Sequence, residues 1–263
     1  MIASEAENIS YPEVPTLKGR VSDAEWDMRV QLAAAYRLAD MHNWTTSLIF
    51  NHISARIPSE EKHFLLNPFG LRYDEVTASN LVKIDIDGNI IDDTPYGINH
   101  AGYIIHGAIH GAREDVVCAV HTHTEAGMAV SSLEDGLMFT NQEALRFYGH
   151  TAYHEFEGIA ADTDECARLV ADLRDNMVLI LKSHGLLTVG RSVGEAFVWM
   201  YFLEKCCASQ LQLMATGGRV IQLSKEVCEH TARQFNSQNT SPDRSEWPAL
   251  MRMADEFDPS YRA

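Results

Sequence analysis

The sequence predicts an α/β protein with three layers, α/β/α, around a mixed central sheet. Three observations lead there. Strand-like and helix-like segments alternate irregularly along the 263 residues, which suits a layered architecture. Two continuous apolar runs, Val116 to Val120 and Met177 to Lys182, have the length and composition of buried strands. The dipeptide Asp87-Gly88 between two strand-like segments is a hairpin signal, so the sheet is not purely parallel.

Taken in order, residues 1–21 read as an irregular arm punctuated by Pro12, Pro15 and Gly19. Ser22-Asp23-Ala24-Glu25 has the form of a capping box and opens a helix that runs to about Met41. Strands are expected over Ser47 to Pro58 and His63 to Pro68, then over Leu81 to Ile86 and Asn89 to Asp92 on either side of the hairpin turn. Ile98 to Ala112 has helical spacing and leads towards the first buried run. Shorter helices are expected from Glu125 to Ser132 and from Thr163 to Asn176. The longest helix spans Ser192 to Thr216, with Ala196, Phe197, Met200, Leu203 and Cys207 along one stripe, and Gly217-Gly218 stops it. Another covers about Lys225 to Phe235. Ser237 to Arg244 reads as a polar linker, and the tail beyond it, with Trp247, Leu250, Met251, Met253 and Phe257, as a docked helix or a partner-binding segment. The expected organisation is an arm (1–21), one main domain (22–236), and a linker with a tail helix (237–263).

A hydrophobic content of 46% suffices for a substantial core. No apolar stretch approaches the ~20 residues of a membrane span, and Met1 to Glu13 lacks a signal-peptide pattern. These features point to a soluble, cytoplasmic protein. Five cysteines without framework spacing fit a reducing compartment, and Cys206-Cys207 reads as helix core packing. A formal charge of −16 speaks against a protein that holds nucleic acid through basic patches.

The chemistry is concentrated where the two apolar runs end. The first runs into His121-Thr122-His123 and the second into Ser183-His184-Gly185. Side chains two apart on a strand share a face, so His121 and His123 can grip one ion. His184 is the candidate third ligand, because three imidazoles with an open fourth position form a catalytic zinc arrangement. The competing reading is that all three only make hydrogen bonds at a sheet edge. His106 and His110, four apart on a predicted helix, read instead as buried or supporting residues. His150 and His154 share that spacing in a stretch with no assigned structure, and His52 and His63 read as structural strand residues. No P-loop, dinucleotide fingerprint or Gly-x-Ser-x-Gly elbow occurs, and Gly185 to Gly190 reads as a turn between strand and helix.

At these residues the chain resembles the class II aldolase/adducin family, over about Val21 to Gly218. The resemblance rests on His121-Thr122-His123, on Ser183-His184-Gly185-Leu186, and on Asn67-Pro68-Phe69-Gly70 with Asp74-Glu75-Val76-Thr77. Leu66 to Val82 and Asn99 to His110 are more similar to the adducin head than to a sugar-phosphate aldolase. The resemblance implies a mostly antiparallel central sheet, a homotetramer, and a divalent metal near a subunit interface. It places the three ligands on His121, His123 and His184, with zinc the first expectation and Mn²⁺ or Fe²⁺ the alternatives. The family's aldolases carry a catalytic Glu on the helix before the His-x-His strand, and that position is Gly102 here. The paired serines that hold substrate phosphate fall on His100 and Ala101, and a Thr-Gly phosphate contact on Phe69-Gly70. Phe69, Gly70, Ala101 and Gly102 are thus expected to line a pocket without the usual base or phosphate contacts.

The function expected from this is a metal-dependent lyase that acts on a small oxo- or hydroxy-substituted carbonyl compound by aldol cleavage or decarboxylation. Decarboxylation tolerates loss of the Glu better, since no hydroxyl proton need leave first. His100 and Glu125 are the candidate proton donors, Tyr148 and Tyr153 lesser ones, and a Glu restored at Gly102 is expected to raise aldolase activity. The competing classes are a non-catalytic adducin-like interaction domain and a non-haem iron oxygenase on the same three histidines.

Overall fold

The computed structural model describes residues 12, 14–60, 62–158, 163–237 and 241–263. Most of the expected arm and residues 238–240 of the expected linker lie outside the described residues. Seven strands, β1 (His52–Arg56), β2 (His63–Leu66), β3 (Val82–Asp85), β4 (Cys118–Thr122), β5 (Thr151–His154), β6 (Val178–Leu181) and β7 (Gly185–Gly190), form one sheet in the order β3-β2-β1-β4-β7-β6-β5. Every pairing is antiparallel except that of β5 with β6. The described helices are α1 (Asp23–Met41), α2 (His100–Ala112), α3 (Glu125–Ser131), α4 (Thr163–Leu173), α5 (Val193–Ala215), α6 (Lys225–Ser237) and α7 (Glu246–Phe257). The expected mixed, mostly antiparallel α/β/α fold is what the chain adopts.

The period-2 alternation of the strands sorts the two cores. Cys118 and Val120 of β4 face a large core with Leu32 and Tyr36 of α1, Phe197 and Leu203 of α5 and Trp247 of α7. Ala119 faces the opposite core with Ile105 and Ile109 of α2 and Leu169 and Leu173 of α4. By the same alternation His121 falls on the α2 side of the sheet and Thr122 on the α5 side.

Local signals explain most elements. Ser22 caps α1 by accepting from the Glu25 N–H at 3.2 Å. In the predicted hairpin, Gly88 takes φ +84° and the Asp85 carboxylate accepts from the Asp87 and Asn89 N–H groups. Its second arm is not a strand: only an isolated Ile84–Ile90 bridge forms, and Ile90 and Ile91 stay exposed. The first predicted strand shrinks to β1, because residues 46–49 turn and Leu48 adopts φ +58°. β5 fills the stretch that sequence left unassigned.

Gly185 to Gly190 is the chief correction. It is not a turn but β7, wholly buried and paired with both β4 and β6. Its glycines answer to packing. A Cβ on Gly185 would strike the Thr122 carbonyl oxygen, and one on Gly190 the Ala196 amide. The tail is a docked element: Trp247 and Tyr261 are buried, the Ala78 and Ser79 N–H groups donate to the Tyr261 and Ala263 carbonyls, and Arg37 pairs with Asp258. All five cysteines are free thiols, and four are buried, Cys206 and Cys207 among them. No helix among the described residues is long and apolar enough to cross a membrane.

Candidate metal centre and its cavity

His121 is the penultimate residue of β4 and His123 follows directly after the strand, both on the α2 face. His184 arrives from the β6–β7 turn, where Ser183 takes φ +55° and its N–H donates to the Ser131 carbonyl. The antiparallel pairing of β4 with β7 puts Thr122 opposite Leu186, which draws that turn alongside the two histidines. The His123 Nε2 atom lies 2.8 Å from His121 Nε2 and 2.9 Å from His184 Nε2. Among the described residues this is the one group of three or more potential ligands with its donor atoms so close together.

The surroundings fix these rings. His121 Nδ1–H donates to the Leu186 carbonyl at 2.9 Å, which leaves Nε2 with a bare lone pair. His123 Nδ1 meets Ser47 Oγ at 3.2 Å, and its backbone N–H donates to Asn51 Oδ1 at 2.8 Å. Burial, then the neighbouring imidazoles, holds His121 well below the ordinary histidine pKa. Burial also lowers His123, and burial followed by His123 brings His184 down to about 4. Neutral rings with converging lone pairs repel one another unless a cation or proton lies between them. The donor set therefore suits a divalent ion of borderline softness.

Thr122, between the two histidines, points to the other face. Its hydroxyl donates to Glu204 of α5 at 2.9 Å, and Thr124 donates to the same carboxylate at 2.6 Å. Burial raises the pKa of Glu204 and the two hydroxyl bonds oppose that shift. This carboxylate braces the strand end from behind. Its mark in the sequence is a lone acid inside the apolar stripe of α5.

The histidines form the floor of a cavity of about 400 Å³. Phe50, Ile105, Met128 and Phe156 give it apolar walls, and His52, Asn99 and Ser183 add polar groups. Gly102 lines it too. A Cβ at Gly102 would lie 2.5 Å from His52 Nε2, so the His52 ring fills the space that a side chain at 102 would use. A Glu at 102 would therefore first have to displace the His52 ring. His52 is also no mere structural strand residue: it lines the cavity, opposite His121 in register.

Other sequence-predicted residues are placed elsewhere. His100 opens α2, is exposed and packs against Tyr103. Glu125 is exposed in the first turn of α3. Neither is among the lining residues. Phe69 reaches the cavity only through Phe50, with ring centroids 6.3 Å apart, and Gly70 beside it takes φ +99°. Ala101 lies in the first turn of α2, and its side chain is outside the described residues. Tyr148 packs on Phe139, and the Tyr153 hydroxyl accepts from the Leu137 N–H. His154 is held by Asp172 and Glu165, whereas His150 meets Asn236, so the two form no ligand pair. His106 and His110 are buried beneath α2 around Ser54. Sequence reasoning missed His52, Asn99, Phe50 and Phe156, whose meeting depends on which strand lies under which helix.

A family model described as the class II aldolase and adducin N-terminal domain matches residues 30–211. This chain belongs to that family. An aldolase II superfamily protein from Pseudomonas syringae is 47% identical, with a TM-score of 0.90 over 94% of this chain and 99% of its own. The L-fuculose 1-phosphate aldolase from Glaciozyma antarctica PI12 is 28% identical, with a TM-score of 0.80 over 97% of each chain. The alpha-adducin of Rattus norvegicus is 47% identical over 194 residues, which are 73% of this chain but 26% of the adducin.

Proposed function

We propose that this family member is a divalent-metal-dependent lyase that breaks a C–C bond beside the carbonyl of a small oxo- or hydroxy-substituted compound, by retro-aldol cleavage or decarboxylation. One observation carries the reading: His121, His123 and His184 gather their ring nitrogens at a cavity with room for a reactant. A bound divalent ion, zinc foremost, with Mn²⁺ or Fe²⁺ open to the same donors, supplies Lewis-acid stabilisation of negative charge developing on the substrate oxygen.

The chain's own residues do the remaining work. His121 is held in the ligating tautomer by the Leu186 carbonyl. Phe50, Ile105, Met128 and Phe156 exclude water and lower the dielectric around the reacting carbonyl. None of the described lining residues is Lys or Arg, which favours a substrate without a phosphate group. The exposed Phe50 and Phe156 at the cavity, with Phe69 beside Phe50, suit a homotetramer in which a second copy covers the mouth, and a cytoplasmic setting suits the free thiols.

Elemental analysis of natively purified protein tests the reading. About one divalent ion per chain is expected, lost in His121→Ala and His184→Ala while the oligomer stays folded. A screen of retro-aldol and oxo-acid decarboxylation substrates then assigns the reaction. A folded, natively metal-free protein would instead favour an adducin-like interaction domain, the reading that the likeness to alpha-adducin supports.

A further inference from the structure

β1 places His52 and Ser54 on the same face of the sheet, under α2, whose inner side carries His106 and His110. Ser54 Oγ lies 2.6 Å from His106 Nδ1 and 2.8 Å from His110 Nε2. His52 Nε2 lies 3.1 Å from the Asn99 side-chain amide nitrogen. Three imidazole nitrogens of this cluster are buried with no hydrogen-bond partner, His52 Nδ1, His106 Nε2 and His110 Nδ1, and the His52 and His106 rings face each other edge-on with centroids 6.0 Å apart. Buried polar atoms are rarely left so.

The pattern has one consistent direction. At the outer end this direction puts the His110 proton on Nδ1, where the structure gives it no acceptor. The ring nitrogen facing Ser54, Nε2, is then the acceptor, and the Ser54 hydroxyl donates to it. Ser54 Oγ can in turn accept only from His106 Nδ1–H, which leaves His106 Nε2 as a bare acceptor. At the cavity end the Asn99 amide donates to His52 Nε2, which leaves the His52 proton on Nδ1. His52 Nδ1 and His106 Nε2 are thus a donor and an acceptor on facing rings, and one water or a small closing movement joins them. The direction is set at the cavity end, by the Asn99 amide.

We propose that His52, filling the space left by Gly102, is the residue that accepts a hydrogen bond from a substrate hydroxyl, which takes the place of the Asn99 amide at Nε2, and that His106, Ser54 and His110 hold it in the tautomer with Nε2 as acceptor. The substrate class follows: a carbonyl compound with a hydroxyl group within reach of Nε2, beside Asn99. Ser54, His106 and His110 are positioning residues, since they act through His52. This inference rests on the lyase reading for its reactant, but the tautomer of His52 does not.

Two measurements separate the assignments. In the native, metal-bearing protein with ¹⁵N-labelled histidine, long-range ¹H–¹⁵N correlation is expected to show His52 protonated on Nδ1. Ser54→Ala is expected to mix the two tautomers without loss of metal. If Ser54→Ala does not fold, His106→Asn, which keeps a group facing Ser54 but removes the Nε2 end, is expected to do the same. A wild-type His52 protonated on Nε2, or tautomers indifferent to these changes, would overturn the chain. The second measurement compares binding of hydroxypyruvate and pyruvate, which differ by one hydroxyl. Wild type is expected to prefer hydroxypyruvate roughly tenfold, the worth of one good hydrogen bond, and His52→Leu to lose that preference while it retains metal. A preference that survives in His52→Leu refutes the role of His52. If neither compound binds to the wild type, the lyase reading loses its support, and the tautomer result alone still decides the assignment of His52.

Discussion

At position 102 the absence of one methyl group decides what stands in the cavity. A Cβ there would overlap the His52 ring on three atoms, all within 2.6 Å. His52 is 3% exposed and packed against α2, so it cannot swing away freely. Gly102→Glu is therefore expected to destabilise the fold by about 1–3 kcal/mol, the usual cost of overpacking, and to give no gain on hydroxy-ketones. Thermal unfolding checks the first part. The double variant with His52→Ala is expected to recover most of the lost stability, whereas a single variant as stable as the native protein would mean that the ring yields readily. Glu204 is the other residue on which the site leans. Removing its carboxylate in Glu204→Ala strands the Thr122 and Thr124 hydroxyls in the core and opens a void, at an expected cost of about 2–4 kcal/mol. Glu204→Gln keeps an acceptor oxygen and is expected to cost well under half of that. Equal unfolding midpoints for the two variants would argue against the bracing role.

β7 shows, at the scale of an element, where the sequence is readable and where it is not. β4 and β6 are visible as apolar runs because both of their faces are buried, and α5 because its stripe repeats at the helical period. His121 and His123 are visible because strand alternation alone puts them on one face, and His184 because it follows the second apolar run. β7 is bounded by glycines, which in isolation signal turns. The sheet uses them instead for close approach to Thr122 and Ala196, and no local pattern carries that information. β5 is short and only partly buried, so it has no apolar signature. His52 was legible as a strand residue but not as a cavity residue, because its partner Gly102 comes from a helix that crosses β1. The consequence for Gly185 is testable. A methyl group there meets backbone, which cannot rotate out of the way, at the point where β7 pairs with the strand that presents the histidines. Gly185→Ala is expected to lose at least about 1–3 kcal/mol and to lower metal content in proportion to the fraction misfolded. Native stability and native metal content together would show that the β4–β7 register has slack.

The whole molecule carries its histidines inside an acidic shell, and that sets its response to acid. His106 and His110 are fully buried, and each is pushed down to about 3, by burial first and then by the neighbouring His110 and Arg56 respectively. His42 is lowered for the same leading reason. The unfolded chain titrates these groups near 6.5, so between that pH and about 3 it binds protons that the folded protein refuses. Stability is then fully present above about pH 6.5 and falls as the pH drops, by on the order of 1 kcal/mol per pH unit for each such histidine. Two effects oppose this. Glu204 and Asp40 have raised pKa values through burial, so the folded form takes up their protons more readily and gains from acid. The formal charge of −16 also relaxes as carboxylates protonate, which relieves self-repulsion. Ordinary carboxylates titrate near 4, whereas the histidine contribution begins at 6.5, so the histidines dominate between pH 7 and 5. Urea unfolding of chelator-treated protein is expected to show a midpoint that falls steadily across that window. Replacing His110 with Phe is expected to flatten the slope by about half of the share due to the two buried rings. A midpoint that is flat or rises from pH 7 to 5 would mean that the imidazoles beneath α2 accept protons in the folded state.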